Sequence, residues 1–161
     1  MHHHGYLWTG SKQRLDQEGD RRPAHPNPPP PPAGDDDTDG IKLNRRYREA
    51  GAEFRSGGLP PMETALWLTK PREFVRGTWT EPKEAAEWLG AQLAEYAPRF
   101  MSESDRDSTF LAVLVNSAAE RLGWGGDASH GFYLERPSFL YLALVTCSPN
   151  RAAPDLPCPT R

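Results

Sequence analysis

The sequence is poor in the residues that usually build a dense core. It holds one isoleucine, Ile41, and Leu, Ile, Val and Phe together number 27 of 161 residues. So low a share is typical of chains that stay disordered, but those chains also carry a large net charge. Here 19 basic side chains face 22 acidic ones, for a net charge of −3. Neither sign is in excess, and an isoelectric point near 5.9 argues against bulk attraction to nucleic acid or to anionic lipid. No apolar run approaches the roughly 18 residues needed to span a bilayer. The longest, Phe139 to Val145, has the length of a strand. The start, Met1-His2-His3-His4-Gly5, lacks a basic region followed by an apolar stretch, so no secretory signal is read there and a cytoplasmic location is expected.

Cysteine is scarce as well. Cys147 and Cys158 cannot build a disulfide framework or a zinc site by themselves, and without an export signal they are expected as reduced thiols. A bridge closing that short loop is the other possibility. Lysine numbers 4 against 15 arginines, the bias of a GC-rich, bacterial type of coding sequence. The familiar catalytic signatures are missing: no Walker loop, no dinucleotide-binding glycine pattern, no His-Glu-x-x-His, Cys-x-x-Cys or Gly-x-Ser-x-Gly. These absences point away from the common enzyme classes, and no cofactor is implied.

What is present is unevenly distributed. Residues 1–40 hold only Leu7 and Leu15 of the 27 aliphatic and Phe side chains, whereas residues 41–147 hold 24. The expected organisation is an aromatic and histidine-bearing segment over 1–10, a disordered proline-rich acidic linker over 11–40, one globular α+β domain over 41–147, and a proline-rich flexible tail over 148–161. The linker contains Pro23, Pro26 and the run Pro28 to Pro32, then Asp35, Asp36, Asp37 and Asp39. Such a stretch favours an extended polyproline spacer and buries too little surface to offset its ordering entropy.

Within 41–147, Leu43, Tyr47, Ala50 and Phe54 recur on one helical stripe, ended by Gly57-Gly58. Residues 66–69 and 74–79 flank Lys70-Pro71-Arg72 and suggest a hairpin, with a helix over 62–69 as the competing reading because the apolar positions do not alternate cleanly. Thr80 and Pro82 open a helix whose apolar face is Ala85, Trp88, Leu89, Leu93 and Tyr96. Ser102 or Ser104 can cap the next, with Phe110, Leu111, Leu114, Val115, Ala118 and Leu122 as its apolar face and Gly123 as its end. Phe132-Tyr133-Leu134 and Phe139 through Thr146 surround Arg136-Pro137 as a second hairpin. The expected fold is therefore α+β: a small antiparallel sheet of two hairpins packed with about three helices, between a disordered N-terminal linker and a flexible tail.

Four features could carry chemistry. The segment Gly123 to Gly131 is glycine-rich and offers Asp127, Ser129 and His130 as acid, hydroxyl and titratable base. Neighbours on one loop tend to diverge, however, and a flexible helix-to-strand connection explains the same glycines. His2, His3 and His4 could offer imidazoles to a transition metal, but on a loose terminus they lack fixed geometry, so no metal site is expected. Arg45, Arg48 and Arg55 share one side of the 42–55 helix and could meet nucleic acid, although a solvated helix face explains them as well. Tyr6, Leu7 and Trp8 have no local element to bury them and are read as anchors, docking either on the chain's own domain or in a partner's groove. The expectation is a small non-catalytic accessory or regulatory protein acting through contacts with a protein partner, with nucleic acid disfavoured as a partner and no membrane partner. An enzyme or small-ligand binder using the 123–131 loop is the first alternative, and a DNA-associated regulator using the 42–55 helix the second.

Overall fold

A computed structural model describes all 161 residues. Phe139 to Val145 is apolar at every position, which suits a strand covered on both faces, and it lies in the ten-residue strand β4 (Ser138–Cys147). On one side β4 pairs with β3 (Ala128–Tyr133), the expected second hairpin. On the other it pairs with β1 (His2–Ser11), and the short β2 (Gly77–Trp79) pairs with the far side of β1. All neighbours are antiparallel, in the order β2-β1-β4-β3.

The first residues of the chain thus form an interior strand rather than a loose end. Strand periodicity sends His2, His4, Tyr6 and Trp8 to one face of the sheet and His3, Gly5, Leu7 and Thr9 to the other. Gly5 is required by close packing. A Cβ there would stand 2.9 Å from the Trp88 ring and 3.0 Å from that of Trp79.

One face of the sheet carries two helices, α3 (Pro82–Tyr96) and α4 (Ser108–Gly123), numbered after the short α1 (Lys12–Leu15) and the long α2 (Thr38–Ser56). Ala85, Ala86, Leu89 and Leu93 of α3 and Leu111, Ala118 and Leu122 of α4 pack on Leu140, Leu142, Leu144 and Phe132. Pro82 occupies the first turn of α3, as its fixed φ favours. The cap of α4 is Asp107, whose carboxylate accepts from the Thr109 amide at 3.0 Å, in place of the expected serines. Truncating one of these leucines to alanine costs about 2–5 kcal/mol.

The opposite face is covered by irregular chain. A 3₁₀ segment, Thr64–Thr69, places Trp67 over Tyr6 with ring centroids 4.6 Å apart. This corrects the expected first hairpin: Trp67 and Leu68 are adjacent and both buried, which a strand with one covered face cannot achieve, and the edge position beside β2 is taken by β1. The last fourteen residues, 148–161, fold over the same face. Asn150 donates to the Leu68 carbonyl at 3.3 Å and accepts from the amides of Ala152 and Ala153, and Arg151 pairs with Asp127.

The linker and tail expected to be disordered are therefore placed in the fold, and the helices exceed the expected three, with four α-helices and several 3₁₀ turns. The physical reason is long-range pairing. The proline-rich stretch lies along α2, where Tyr47 donates to the His25 carbonyl at 2.5 Å and Asn44 to that of Pro30 at 2.9 Å. Asp37 caps α2, accepting from Gly40 N at 3.0 Å. At its other end the buried Lys70 ammonium donates to the carbonyls of Phe54 and Gly57, while burial pulls its pKa down to about 8. No helix is long and apolar enough to cross a membrane.

Candidate metal centre

Two residues apart on a strand means the same face, so the alternate histidines of β1, His2 and His4, project together toward the irregular layer. Register puts Cys147 of β4 directly opposite His2. The folded tail then brings Cys158 over both. Its Sγ lies 3.1 Å from His2 Nε2 and 3.3 Å from His4 Nε2. The ligand atoms of His2, His4, Cys147 and Cys158 all lie within 4.8 Å of one another; His2 is half-buried and the other three are buried.

Two imidazoles and two thiols are a donor set for zinc and its softer neighbours, and four protein donors complete a tetrahedron. The surroundings complement it. A metal-binding histidine commonly engages its other ring nitrogen, which fixes the tautomer. His4 Nδ1 has that partner, Thr78 Oγ1 at 2.8 Å, on the residue opposite it in β2. With Nδ1–H donating, the lone pair of Nε2 faces Cys158. The Tyr6 hydroxyl is buried in the same cluster as both thiols and has no hydrogen-bond partner among the protein atoms.

Electrostatics favours the forms that bind a cation. Burial, together with the positive character of His2 and His3, pushes His4 down to about 4, and burial and the terminal ammonium lower His2, so both rings are neutral near pH 7. Burial alone would raise Cys158, but hydrogen bonds from Thr160 and from Cys147, with Arg161 nearby, bring it below the ordinary thiol value. The Thr160 hydroxyl stands 3.2 Å from its sulfur. Burial holds Cys147 above that value, and a bound cation would counter this by stabilising the thiolate. Two neutral rings and two thiolates balance the charge of a divalent ion.

His3, between the two ligands, faces the other way. Its Nδ1 meets Thr146 Oγ1 at 2.9 Å; that hydroxyl donates to the Gly126 carbonyl, so His3 must donate to it. Its Nε2 is buried without a partner.

The other candidate residues are not gathered into a site. Asp127 accepts from the Thr146 amide at 2.9 Å and pairs with Arg151, which commits its carboxylate to joining the tail to the sheet. Ser129 and His130 are neighbours on β3 and so project to opposite faces, with Ser129 exposed and His130 half-buried. Gly125, at φ 84, is the one position in that loop whose backbone demands glycine. Arg45, Arg48 and Arg55 are exposed on α2. Tyr6 is wholly buried within the chain, Leu7 packs beneath α3 and α4, and Trp8 lies against Leu15, Leu59 and Phe139.

Sequence reasoning missed Cys147 and Cys158 as partners of the histidines. The available signal was His-x-His at strand spacing; the thiols are more than 140 positions away. Comparison of the chain with protein-family models, with curated proteins and with solved structures returns no match.

Proposed function

We propose that this chain is a small non-catalytic accessory protein organised around a four-coordinate zinc-type centre at His2, His4, Cys147 and Cys158, and that it acts through protein contacts. The observation that carries the reading is the convergence of those four ligand atoms, drawn from two strands and the tail. Catalytic zinc sites usually keep one position open for water or substrate, whereas four protein ligands close the shell. The centre would tie the two ends of the chain together, so that metal binding contributes to folding.

The contact part of the reading is supported by apolar side chains on the outer side of α4 and just beyond it: Phe110, Val113 and Trp124 are 40%, 55% and 73% exposed. The decisive experiment is a titration of the reduced, metal-free chain with Zn²⁺ and, for its visible spectrum, with Co²⁺. One equivalent bound, with thiolate charge-transfer and tetrahedral Co²⁺ bands, is the expected result. Absence of those bands, or binding that survives replacement of both cysteines by serine, would overturn the reading.

A further inference from the structure

The cluster contains every cysteine of the chain, Cys147 and Cys158. Resting on the metal-centre reading above, we infer that these residues form a redox switch, in which a peroxide converts the metal-bound thiolate pair to a disulfide and expels the ion.

The two sulfurs already lie within 4.8 Å of one another, so closing to a bond of about 2.05 Å needs a modest approach. One partner sits in the sheet and the other in the tail laid over it. Cys147 ends β4 and is locked by pairing to His2. Cys158 belongs to a tail without helix or strand. Besides its own contacts to His2 and His4, its nearest side-chain anchor is the Asn150 amide, which donates to the Pro157 carbonyl at 3.4 Å and to the Leu68 carbonyl at 3.3 Å. Cys158 is also the more exposed of the two residues, 7% against 1%, and half-buried His2 lies on the side from which a small oxidant would enter. No third thiol exists to divert the reaction within the chain.

The steps balance with hydrogen peroxide as oxidant. The Cys158 thiolate attacks the O–O bond, forming a sulfenic acid and releasing hydroxide. The Cys147 thiolate then attacks that sulfur; the S–S bond forms, the S–O bond breaks and a second hydroxide leaves. Two electrons pass from the sulfur pair to the peroxide, and two solvent protons turn the hydroxides into water. His2 and His4 alone cannot hold the ion in a closed shell, so it departs. The tail is then joined to β4 instead of being tied through the metal to β1.

The test uses the full chain, first shown to be loaded with one zinc, then treated with hydrogen peroxide while a chromophoric chelator reads free zinc. The expected result is release of one equivalent per chain, in step with loss of two hydrogens from the intact mass and a mapped Cys147–Cys158 linkage, with thiol reductant and zinc restoring the starting state. Zinc retained through oxidation, sulfinic or sulfonic products, or release without that linkage would overturn the switch. A reduced chain that takes up no zinc at the loading step overturns the metal centre itself, and is read before any oxidant is added.

Discussion

His3 and His4 are the same residue at successive positions, and each has a threonine hydroxyl on the neighbouring strand beside its Nδ1. On the helix-covered face, His3 reaches Thr146 and its Nε2 has no hydrogen-bond partner. On the other face, His4 reaches Thr78 and its Nε2 lies 3.3 Å from a sulfur. Local chemistry does not separate the two. What separates them is the layer each strand face meets: helices supplying leucine and alanine on one side, and a folded tail supplying a thiol on the other. A strand sorts neighbours onto opposite faces, and the face assigns the role.

Removing each ring in turn separates the two faces most sharply. His4→Ala is expected to weaken zinc binding by on the order of 10²–10³-fold, since one of four ligands is lost from a site whose total binding energy is large. His3→Ala should leave zinc affinity within a few-fold but lower unfolding stability by about 1–3 kcal/mol, because it deletes a buried hydrogen bond. Competition with a chelator reads the first effect and denaturant unfolding of the metal-free protein reads the second. Equal losses of zinc affinity would erase the distinction between the faces.

The threonines offer a finer version. Thr78→Val keeps all four ligands but frees the His4 ring, and should cost about 10–100-fold in zinc affinity. Thr146→Val should spare zinc and cost about 1–3 kcal/mol of stability, since the Gly126 carbonyl and His3 both lose their partner.

His130 gives the smallest effect and serves as a half-buried histidine outside the centre. Burial, aided by Arg121, lowers its pKa in the fold, so the folded state holds it neutral while the unfolded chain protonates it near the ordinary value of 6.5. The stability this represents is present above that value and is lost as the pH falls from there through the lower folded value. His130→Gln should therefore flatten the acid side of the stability curve relative to the wild type, with zinc binding at neutral pH unchanged. Unfolding curves from pH 7 to pH 5 measure it.

Much of the fold was legible from local pattern. The α3 face of Ala85, Leu89 and Leu93, the opening Pro82, and the β3–β4 hairpin around Arg136-Pro137 follow from periodicity and turn chemistry, and the structure has them. The stripe Leu43, Tyr47, Ala50 and Phe54 does form a helix, but only its Phe54 end is buried, because the proline-rich segment and not the core lies beside the rest. The first strand was illegible for a definite reason. Its interior-facing residues include histidines and Gly5, which score as polar or flexible, yet a neutral, hydrogen-bonded imidazole is readily buried.

Composition and periodicity by themselves determined the α+β class, the helical layer of α3 and α4, and the apolar strand that organises the sheet, because each depends on residues within a turn or two of one another. Tertiary structure alone decided that the opening histidines form an interior strand, that the proline-rich stretch and the tail pack, and that two thiols meet two imidazoles. Those outcomes depend on pairing between His2 and Cys147 and on the placement of Cys158, contacts across nearly the whole chain. Local preference carries no information about such contacts, since loop closure and burial on both faces are settled only when the whole sheet assembles.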